Sequence, residues 1–319
     1  MKQVYEYLKL VRWPNLLIIG IVLWVLEKWT VVPILGDWGE PLDAWMLALL
    51  IAAEILIAAG GFVINDYFDV KIDRINRPEN LIITNSVSKT QAMWLFRILT
   101  GLGVVCGLML AWLCCHSMSL TLLMLMVPGL LWFYSSSYKR MMVVGNLIIA
   151  LMTAFIPISV ALANVGLMKY QYGDILGYTT LVHDIYAWLG GIALVAFLCA
   201  WIREMVKNMQ NQTGDRELEC HTLPIMLGDR WTKIIITVII AITIGVLIWL
   251  GLTAVPFPHG FRTLAGRYII LGLIIPLLGE TWLIWAAKIP SDYRSAQQLM
   301  KFVLCMVALY SIVIFRNLQ

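Results

Sequence analysis

The chain has 319 residues, of which 61% are hydrophobic and only 13% are charged, and its formal net charge at pH 7 is +4. Apolar runs of about twenty residues recur along it, which is more apolar surface than a soluble core of this size can use. This composition excludes an ordinary soluble domain, and the small net charge argues against a nucleic-acid partner. The sequence therefore predicts an all-α, polytopic integral membrane protein.

Hydropathy predicts nine transmembrane helices. The predicted spans are residues 16–36, 44–64, 92–113, 118–135, 144–165, 185–202, 232–254, 268–288 and 299–316. Each is close to the length of about 20 residues that a helix needs to cross the hydrocarbon core. The first run follows a charged, aromatic segment and is long enough to span, so we expect it to be retained rather than cleaved as a signal peptide.

The basic residues segregate as nine spans require. When loops alternate between the two sides, the N-terminus and the loops after the even-numbered spans, with their helix ends, contain 18 of the 23 Lys and Arg residues. Such residues concentrate on the cytoplasmic side, where they also favour anionic membrane lipid. We therefore expect a cytoplasmic N-terminus and an outside C-terminus, in a bacterial or archaeal inner membrane.

An acidic cluster follows the second apolar run. Asp66, Asp69 and Asp73 are spaced by three and then four residues, so they share one helical face over roughly 10 Å of axis. Carboxylates this close repel one another unless cations lie between them, and hard divalent cations prefer oxygen ligands. The cluster predicts a Mg²⁺ site. The alternative is a solvated helix end, in which Arg74 and Arg77 accompany the acids.

A second polar cluster, Asn208, Asn211 and Asp215, repeats this spacing after the sixth span. Four crossings separate the second and sixth spans, so both clusters should reach the same side and face one cavity that opens to the cytoplasm. Internal repeats of membrane bundles commonly share a site at their interface. We expect one domain over residues 1–319, built from a pseudo-repeat. Its parts are spans one to four (about residues 1–140), spans five to eight (about 141–290) and span nine.

These residues resemble the intramembrane prenyltransferases of the UbiA superfamily. The first motif of that family, Asn-Asp-x-x-Asp-x-x-x-Asp, is complete here from Asn65 to Asp73. Further similar segments are Asn76-Arg77-Pro78, Gly145-Asn146 and Thr222-Leu223-Pro224. The resemblance covers nearly the whole chain and implies an all-α bundle of nine helices around a central cavity.

The resemblance implies Mg²⁺-dependent transfer of a prenyl group from a prenyl diphosphate to an acceptor, with release of diphosphate. Divalent cations and basic side chains stabilise the charge on a departing diphosphate, and a water-poor cavity protects the allylic cation. The implied metal ligands are Asp66, Asp69, Asp73, Asp215 and Asn211, and the four aspartates are also the implied catalytic residues. The implied substrate-binding residues are Asn65, Arg74, Arg77, Lys139, Lys207, Asn208, Asn211, Arg12 and Asn15.

The acceptor is indicated only by residues 10–15 and 60–69, which look most like the branch resembling geranylgeranylglycerol-phosphate geranylgeranyltransferases. In that branch Arg12 and Asn15 would contact a phosphate-bearing lipid acceptor. Arg12 would equally suit a snorkelling anchor at the membrane interface. An aromatic quinone precursor is the alternative acceptor, and the sequence indicates no oligomeric state.

The chain departs from the family pattern at positions 208 and 211, where members usually have aspartate. An amide oxygen can bind Mg²⁺ but is neutral, so a second metal should bind more weakly. Three explanations remain: Asp215 and Glu204 suffice, one metal is held firmly, or activity is weakened and the protein chiefly binds prenyl lipid. The loop at 80–85 is also less basic than in many members. A secondary transporter is disfavoured because the acids lie at helix ends rather than at mid-membrane.

Two acidic residues fall inside predicted spans, Glu54 in the second and Glu280 in the eighth. Ionisable groups at this depth are costly and are functional candidates. Glu54 precedes Asn65 by eleven residues and lies near the same helical face. The alternative for each is a protonated carboxyl hydrogen-bonded to a neighbouring helix.

Overall fold

The computed structural model describes residues 2–37, 39–76, 81–217, 219–253 and 263–318. Within these residues all regular secondary structure is helical, apart from one isolated β-bridge between Ile83 and Val87. The expectation of an all-α protein is confirmed.

The helices are numbered in chain order. They are α1 (Lys2–Leu10), α2 (Trp13–Leu26), α3 (Val32–Leu35), α4 (Ala44–Asn76), α5 (Lys89–Leu108), α6 (Met118–Ser136), α7 (Val144–Tyr172), α8 (Leu181–Gln210), α9 (Gln212–Glu217), α10 (Leu223–Leu227), α11 (Asp229–Thr253), α12 (Leu264–Tyr268), α13 (Ile275–Ala286) and α14 (Tyr293–Leu318). Short π-helical turns at Glu27–Val31, Met109–Cys114 and Ile269–Ile274 continue α2, α5 and α12.

Nine helical stretches in the described part of the chain are long and apolar enough to cross a membrane. They are Trp13–Leu35, Ala44–Ile75, Lys89–Cys114, Met118–Ser136, Val144–Tyr178, Leu181–Gln210, Asp229–Leu252, Leu264–Ala286 and Pro290–Val313. Each overlaps one predicted span, so the nine-span prediction is confirmed. The second, fifth and sixth stretches are longer than hydropathy predicted, because backbone hydrogen bonding carries α4, α7 and α8 on into polar sequence.

The chain forms two compact units. Unit 1 comprises Met1–Glu27, Leu35–Lys139 and Ser159–Val182, and unit 2 comprises Lys28–Ile34, Arg140–Ile158 and His183–Gln319. The first acidic cluster belongs to unit 1 and the second polar cluster to unit 2. The pseudo-repeat inferred from sequence remains a prediction.

In unit 1, α4 packs against α2, α5 and α6. Glycine permits the close approach of α5, because a Cβ on Gly103 would lie 2.9 Å from the backbone nitrogen of Ile57 and 3.0 Å from the backbone oxygen of Ala53. Both of those atoms belong to α4, and a backbone cannot move aside as a flexible side chain can. The close approach of α5 to α4, which carries the acidic cluster, therefore depends on glycine at position 103.

An apolar cluster surrounds the polar end of α4. Leu10 of α1, Val63 and Val70 of α4, and Ile82 and Val87 of the following loop are all buried in it. The loop thus contributes apolar side chains to this core. Burial of such side chains contributes roughly 1.5–3 kcal/mol each.

In unit 2, α13 packs against α11 and α14, and α12 packs against α14. Polar contacts add to these packed faces. The Tyr268 hydroxyl donates to the backbone oxygen of Met306 (2.8 Å), and Lys233 Nζ donates to the backbone oxygen of Ala287 (2.7 Å). These bonds connect α12 with α14 and α11 with the end of α13.

We predict that Gly103→Ala lowers the thermal unfolding midpoint, because the added Cβ would collide with the α4 backbone. The matched control is Gly101→Ala on the same helix, where no atom lies within 4 Å of the added Cβ. There, alanine should raise stability by about 0.5–1 kcal/mol through its higher helix propensity. Tryptophan fluorescence during heating of the detergent-solubilised protein measures both effects, and a stabilising Gly103→Ala would contradict the packing argument.

Candidate functional site

The first acidic cluster lies on one continuous helix. Asn65, Asp66, Asp69 and Asp73 all belong to the C-terminal part of α4. The carboxylates of Asp66 and Asp69 repel one another, and both act electrostatically on Asp73. The Asp69 side chain is buried. The spacing of three and four residues thus places three mutually interacting carboxylates together, as the sequence predicted.

Lys139 lies against the middle of this cluster. It belongs to a single 3₁₀ turn, Tyr138–Arg140, that follows α6. Its Nζ donates to Asn65 Oδ1 (3.2 Å) and forms an ion pair with the carboxylate of Asp69. The structure therefore places Lys139 beside the first motif, where it supplies a positive charge to a buried acid.

Arg12 lies against Asp66. Its Nη2 donates to Asp66 Oδ1 (2.6 Å), and its guanidinium carbon is 5.1 Å from the centre of the Phe62 ring. Arg12 connects α1 to α2 and has a left-handed backbone conformation, with φ of 54°. Asn15 belongs to the same turn, since its N–H donates to the backbone oxygen of Arg12 (2.8 Å). Neither interpretation of Arg12 from sequence anticipated its ion pair with the first motif.

The remaining basic candidates near this motif are placed less centrally. The Arg74 side chain is exposed. Arg77 lies outside the described residues.

The second polar cluster spans the junction of α8 and α9, which form an almost continuous helix. α8 ends at Gln210, yet the N–H of Asn211 donates to the oxygen of Lys207 (3.0 Å) and the N–H of Asp215 donates to the oxygen of Asn211 (3.2 Å). Helical hydrogen bonding therefore continues from α8 into α9, so the spacing of three and four residues still places these side chains on one helical face. Asp215 is buried, and its Oδ2 accepts a hydrogen bond from Thr222 Oγ1 (3.4 Å).

Glu204 holds the cationic side chains near this cluster. It is buried and accepts hydrogen bonds from Lys207 Nζ (2.9 Å) and Arg203 Nη1 (3.3 Å). Sequence reasoning offered Glu204 as a substitute for the carboxylates absent at 208 and 211. Its contacts instead make it the partner of Lys207, one of the implied diphosphate-binding residues.

Asn208 pairs with a residue to which sequence reasoning assigned no role. Its Nδ2 donates to Oδ1 of Asn146 in α7 (2.9 Å). Asn146 is buried, and its own Nδ2 has no hydrogen-bond partner in the described part of the chain. The similarity of Gly145-Asn146 to the family was the one signal for this position. An aspartate at 208 would accept a hydrogen bond from Asn146 Nδ2 once the Asn146 amide turned by about 180°.

The donor atoms near the first motif fit Mg²⁺. Carboxylate and amide oxygens are hard ligands, and Asp66, Asp69 and Asn65 supply them. Among the described residues no three His, Cys, Asp or Glu side chains converge as a metal cage would require. Mg²⁺ does not need one, because it usually binds one or two carboxylates together with substrate phosphates and waters.

Comparison with known proteins identifies the family. The model of the UbiA prenyltransferase family matches residues 29–305. This chain belongs to the UbiA prenyltransferase family. It is accordingly an integral membrane protein, and membership favours prenyl transfer over the alternative of a secondary transporter.

Two relatives within the UbiA family share a name. The chain is 31% identical over 198 residues to digeranylgeranylglyceryl phosphate synthase of Pyrococcus horikoshii, and the match spans 62% of each protein. It is 26% identical over 299 residues to the protein of that name from Sulfurisphaera tokodaii, spanning 92% of this chain and 91% of the relative.

Solved structures share the UbiA fold. One, described as "Structural and mechanistic insights into the biosynthesis of Digeranylgeranylglyceryl phosphate synthase in membranes", has a TM-score of 0.68 at 20% identity and 98% coverage of both chains. Another, a UbiA homolog from Archaeoglobus fulgidus bound to GPP and Mg²⁺, has a TM-score of 0.61 at 16% identity, covering 96% of this chain and 99% of the other.

The two acids within the spans differ in their surroundings. The side chain of Glu54 is hydrogen-bonded to that of Ser159 in α7, as the interpretation of a hydrogen-bonded carboxyl expected. Glu280 is fully buried, and neither of its oxygens has a hydrogen-bond partner in the described residues. The same interpretation is therefore wrong for Glu280 within the part of the chain that the structure describes.

We predict that Lys139→Met lowers the free energy of unfolding by about 1–3 kcal/mol, since it leaves the buried Asp69 carboxylate without its cationic partner. Arg140→Met is the matched control, because it removes an exposed positive charge from the same turn. Thermal unfolding in detergent with EDTA measures both. Equal shifts in the two variants would contradict a specific role for the Lys139–Asp69 pair.

Proposed function

We propose that this protein transfers a prenyl group from a prenyl diphosphate to a lipid acceptor that carries a phosphate, with release of diphosphate. The observation that carries the proposal is the pairing of Asp66 and Asp69 with Arg12 and Lys139 at the polar end of α4. Such a mixed cluster has carboxylates for a divalent cation and basic donors for an anion. Support also comes from the relatives named digeranylgeranylglyceryl phosphate synthase.

Asp66, Asp69 and Asp73, with Asp215 and the amide oxygen of Asn211, would hold Mg²⁺, which when bound neutralises diphosphate and eases its departure. Lys139 supplies a positive charge beside Asn65 and Asp69. Lys207, oriented by Glu204, and Asn208 contribute polar groups from the second cluster. Arg74 and Arg77 are further candidate donors to the diphosphate. Arg12 and Asn15 are candidates to bind the phosphate of the acceptor.

The order of chemical events follows from charge. The bond between the allylic carbon and the diphosphate oxygen breaks, and the diphosphate departs with the bonding pair. An acceptor oxygen then forms the new bond to carbon and loses its proton to the released diphosphate. Basic side chains stabilise the departing anion. The apolar helices exclude water, which would otherwise capture the allylic cation.

The wider arrangement also belongs to this proposal. Under this proposal the polar ends of both clusters would reach the cytoplasmic side, with a cytoplasmic N-terminus and the C-terminus outside. The distribution of 18 of the 23 Lys and Arg residues supports this orientation. The membrane that we propose is a bacterial or archaeal inner membrane.

We predict that Asp66→Ala reduces prenyl transfer to below about 1% of wild type, because it removes a carboxylate that the metal requires. The measurement is mass spectrometry of the prenylated product after protein in lipid vesicles receives geranylgeranyl diphosphate, Mg²⁺ and a phosphate-bearing or an aromatic acceptor. Product from the aromatic acceptor alone would identify the protein as an aromatic prenyltransferase, the alternative function.

The control for this experiment is Asp174→Ala, which removes an exposed acid far along the chain from both clusters. It should leave turnover unchanged. Unaltered turnover in Asp66→Ala would refute the ligand role. Donor binding by the wild type without any product would favour a prenyl-lipid binding protein.

We predict that Asn208→Asp with Asn211→Asp tightens Mg²⁺ binding on the order of tenfold, because ligand charge sets affinity for hard cations. Calorimetric titration in the presence of a prenyl diphosphate measures the change. If both clusters serve one site, the gain should shrink when Asp66 is also replaced by Asn. A gain that persists undiminished in the triple variant would contradict the shared site.

A further inference from the structure

We propose that Arg12 is a positioning residue that competes with Mg²⁺ for the carboxylate of Asp66, so that metal binding releases the turn between α1 and α2. This inference rests on the proposed function only in taking Asp66 as a metal ligand. It assigns to Arg12 a role in the protein before substrate binds.

The exposure of the ion pair between Arg12 and Asp66 allows a metal ion to replace the guanidinium. The two side chains are 2.6 Å apart, yet the Arg12 side chain is 40% exposed and that of Asp66 is 18% exposed. Partly exposed pairs are screened by solvent and contribute little net stability. A divalent cation brings twice the charge to the same oxygen, so it can displace the guanidinium.

The backbone at Arg12 depends on its surroundings. Its φ of 54° and ψ of 51° lie in the left-handed region, which residues with a Cβ rarely adopt. Such a conformation persists only where neighbouring contacts maintain it. Here those contacts are the Asp66 carboxylate, the Phe62 ring and the backbone bonds to Lys9 and Asn15. Loss of the Asp66 contact removes the charged one of these restraints.

Helix α1 remains attached when the turn is released. Leu10 is fully buried in the apolar cluster with Val63 and Val70 of α4. On its other side α1 exposes Val4 and Tyr5, a pattern that suits a helix lying in the membrane interface. The turn can therefore change conformation while both of its flanking helices stay anchored, and Arg12 becomes available to another anion.

A double-mutant cycle tests the competition without requiring activity. Thermal unfolding midpoints are measured for wild type, Arg12→Gln, Asp66→Asn and the double variant, first in EDTA and then in saturating Mg²⁺. We expect coupling between the two positions in EDTA and its loss in Mg²⁺. Coupling that is equal in both conditions, or absent in EDTA, would overturn the proposal. Arg12→Met, which removes the charge and keeps an unbranched side chain, replaces Arg12→Gln if the latter does not fold.

Titration with Mg²⁺ alone gives an independent measurement. Arg12→Gln should tighten the apparent Kd about two- to fivefold, the factor that corresponds to a partly exposed ion pair. Lys9→Gln removes an exposed charge from the end of α1 and should change the Kd less than about twofold. Unchanged or weaker binding in Arg12→Gln would contradict the competition.

These measurements separate the two proposals. If the cycle shows coupling that Mg²⁺ abolishes while the wild type forms no prenylated product, the role of Arg12 stands and prenyl transfer is refuted. If the wild type is active while the coupling is the same with and without Mg²⁺, only the role of Arg12 is refuted.

Discussion

The need to neutralise three neighbouring carboxylates on one helix organises the polar end of unit 1. Asp69 is buried, and a buried carboxylate without a partner costs several kcal/mol. Two segments distant in sequence supply the cationic partners, Arg12 before α2 and Lys139 after α6. Each segment must be held in place for its side chain to reach the carboxylate. The packing of α2 and α6 against α4, and the buried cluster under α1, meet that requirement.

The second polar cluster meets a different requirement because it carries less charge. Asn208 donates a hydrogen bond to Asn146 Oδ1, and this neutral contact needs no counterion. A neutral pair of this kind tolerates burial at lower cost than a carboxylate. Replacement of the family's aspartates by amides therefore reduces the demand for cations in unit 2, and Glu204 rather than residue 208 becomes the partner of Lys207.

The fold was largely predictable because membrane spans are set by local apolar composition and length. The acidic cluster was predictable for a similar reason, since spacing along a helix determines which side chains share a face. Lys139 was a candidate through the family resemblance alone, because a 3₁₀ turn breaks the helical count after α6 and spacing could not assign its partners. The ion pair of Arg12 with Asp66 escaped prediction because the two residues lie 54 positions apart along the chain. The pairing of Asn146 with Asn208 likewise depends on how α7 and α8 pack.

The direction of α4 adds to the electrostatic demand of the site. Backbone carbonyls point toward the C-terminal end of a helix and give it a partial negative charge, which disfavours acids in the last turn. Asp73 lies three residues before α4 ends at Asn76, so the carbonyl dipoles and the neighbouring carboxylates both act against its negative charge. A helix N-terminus would bind a phosphate directly through its N–H groups. A C-terminus bearing acids cannot, and it attracts a diphosphate only through cations placed between the two anions. The end of the helix at which the motif lies thus accounts for the presence of Arg12 and Lys139 and for the metal that the proposed function requires.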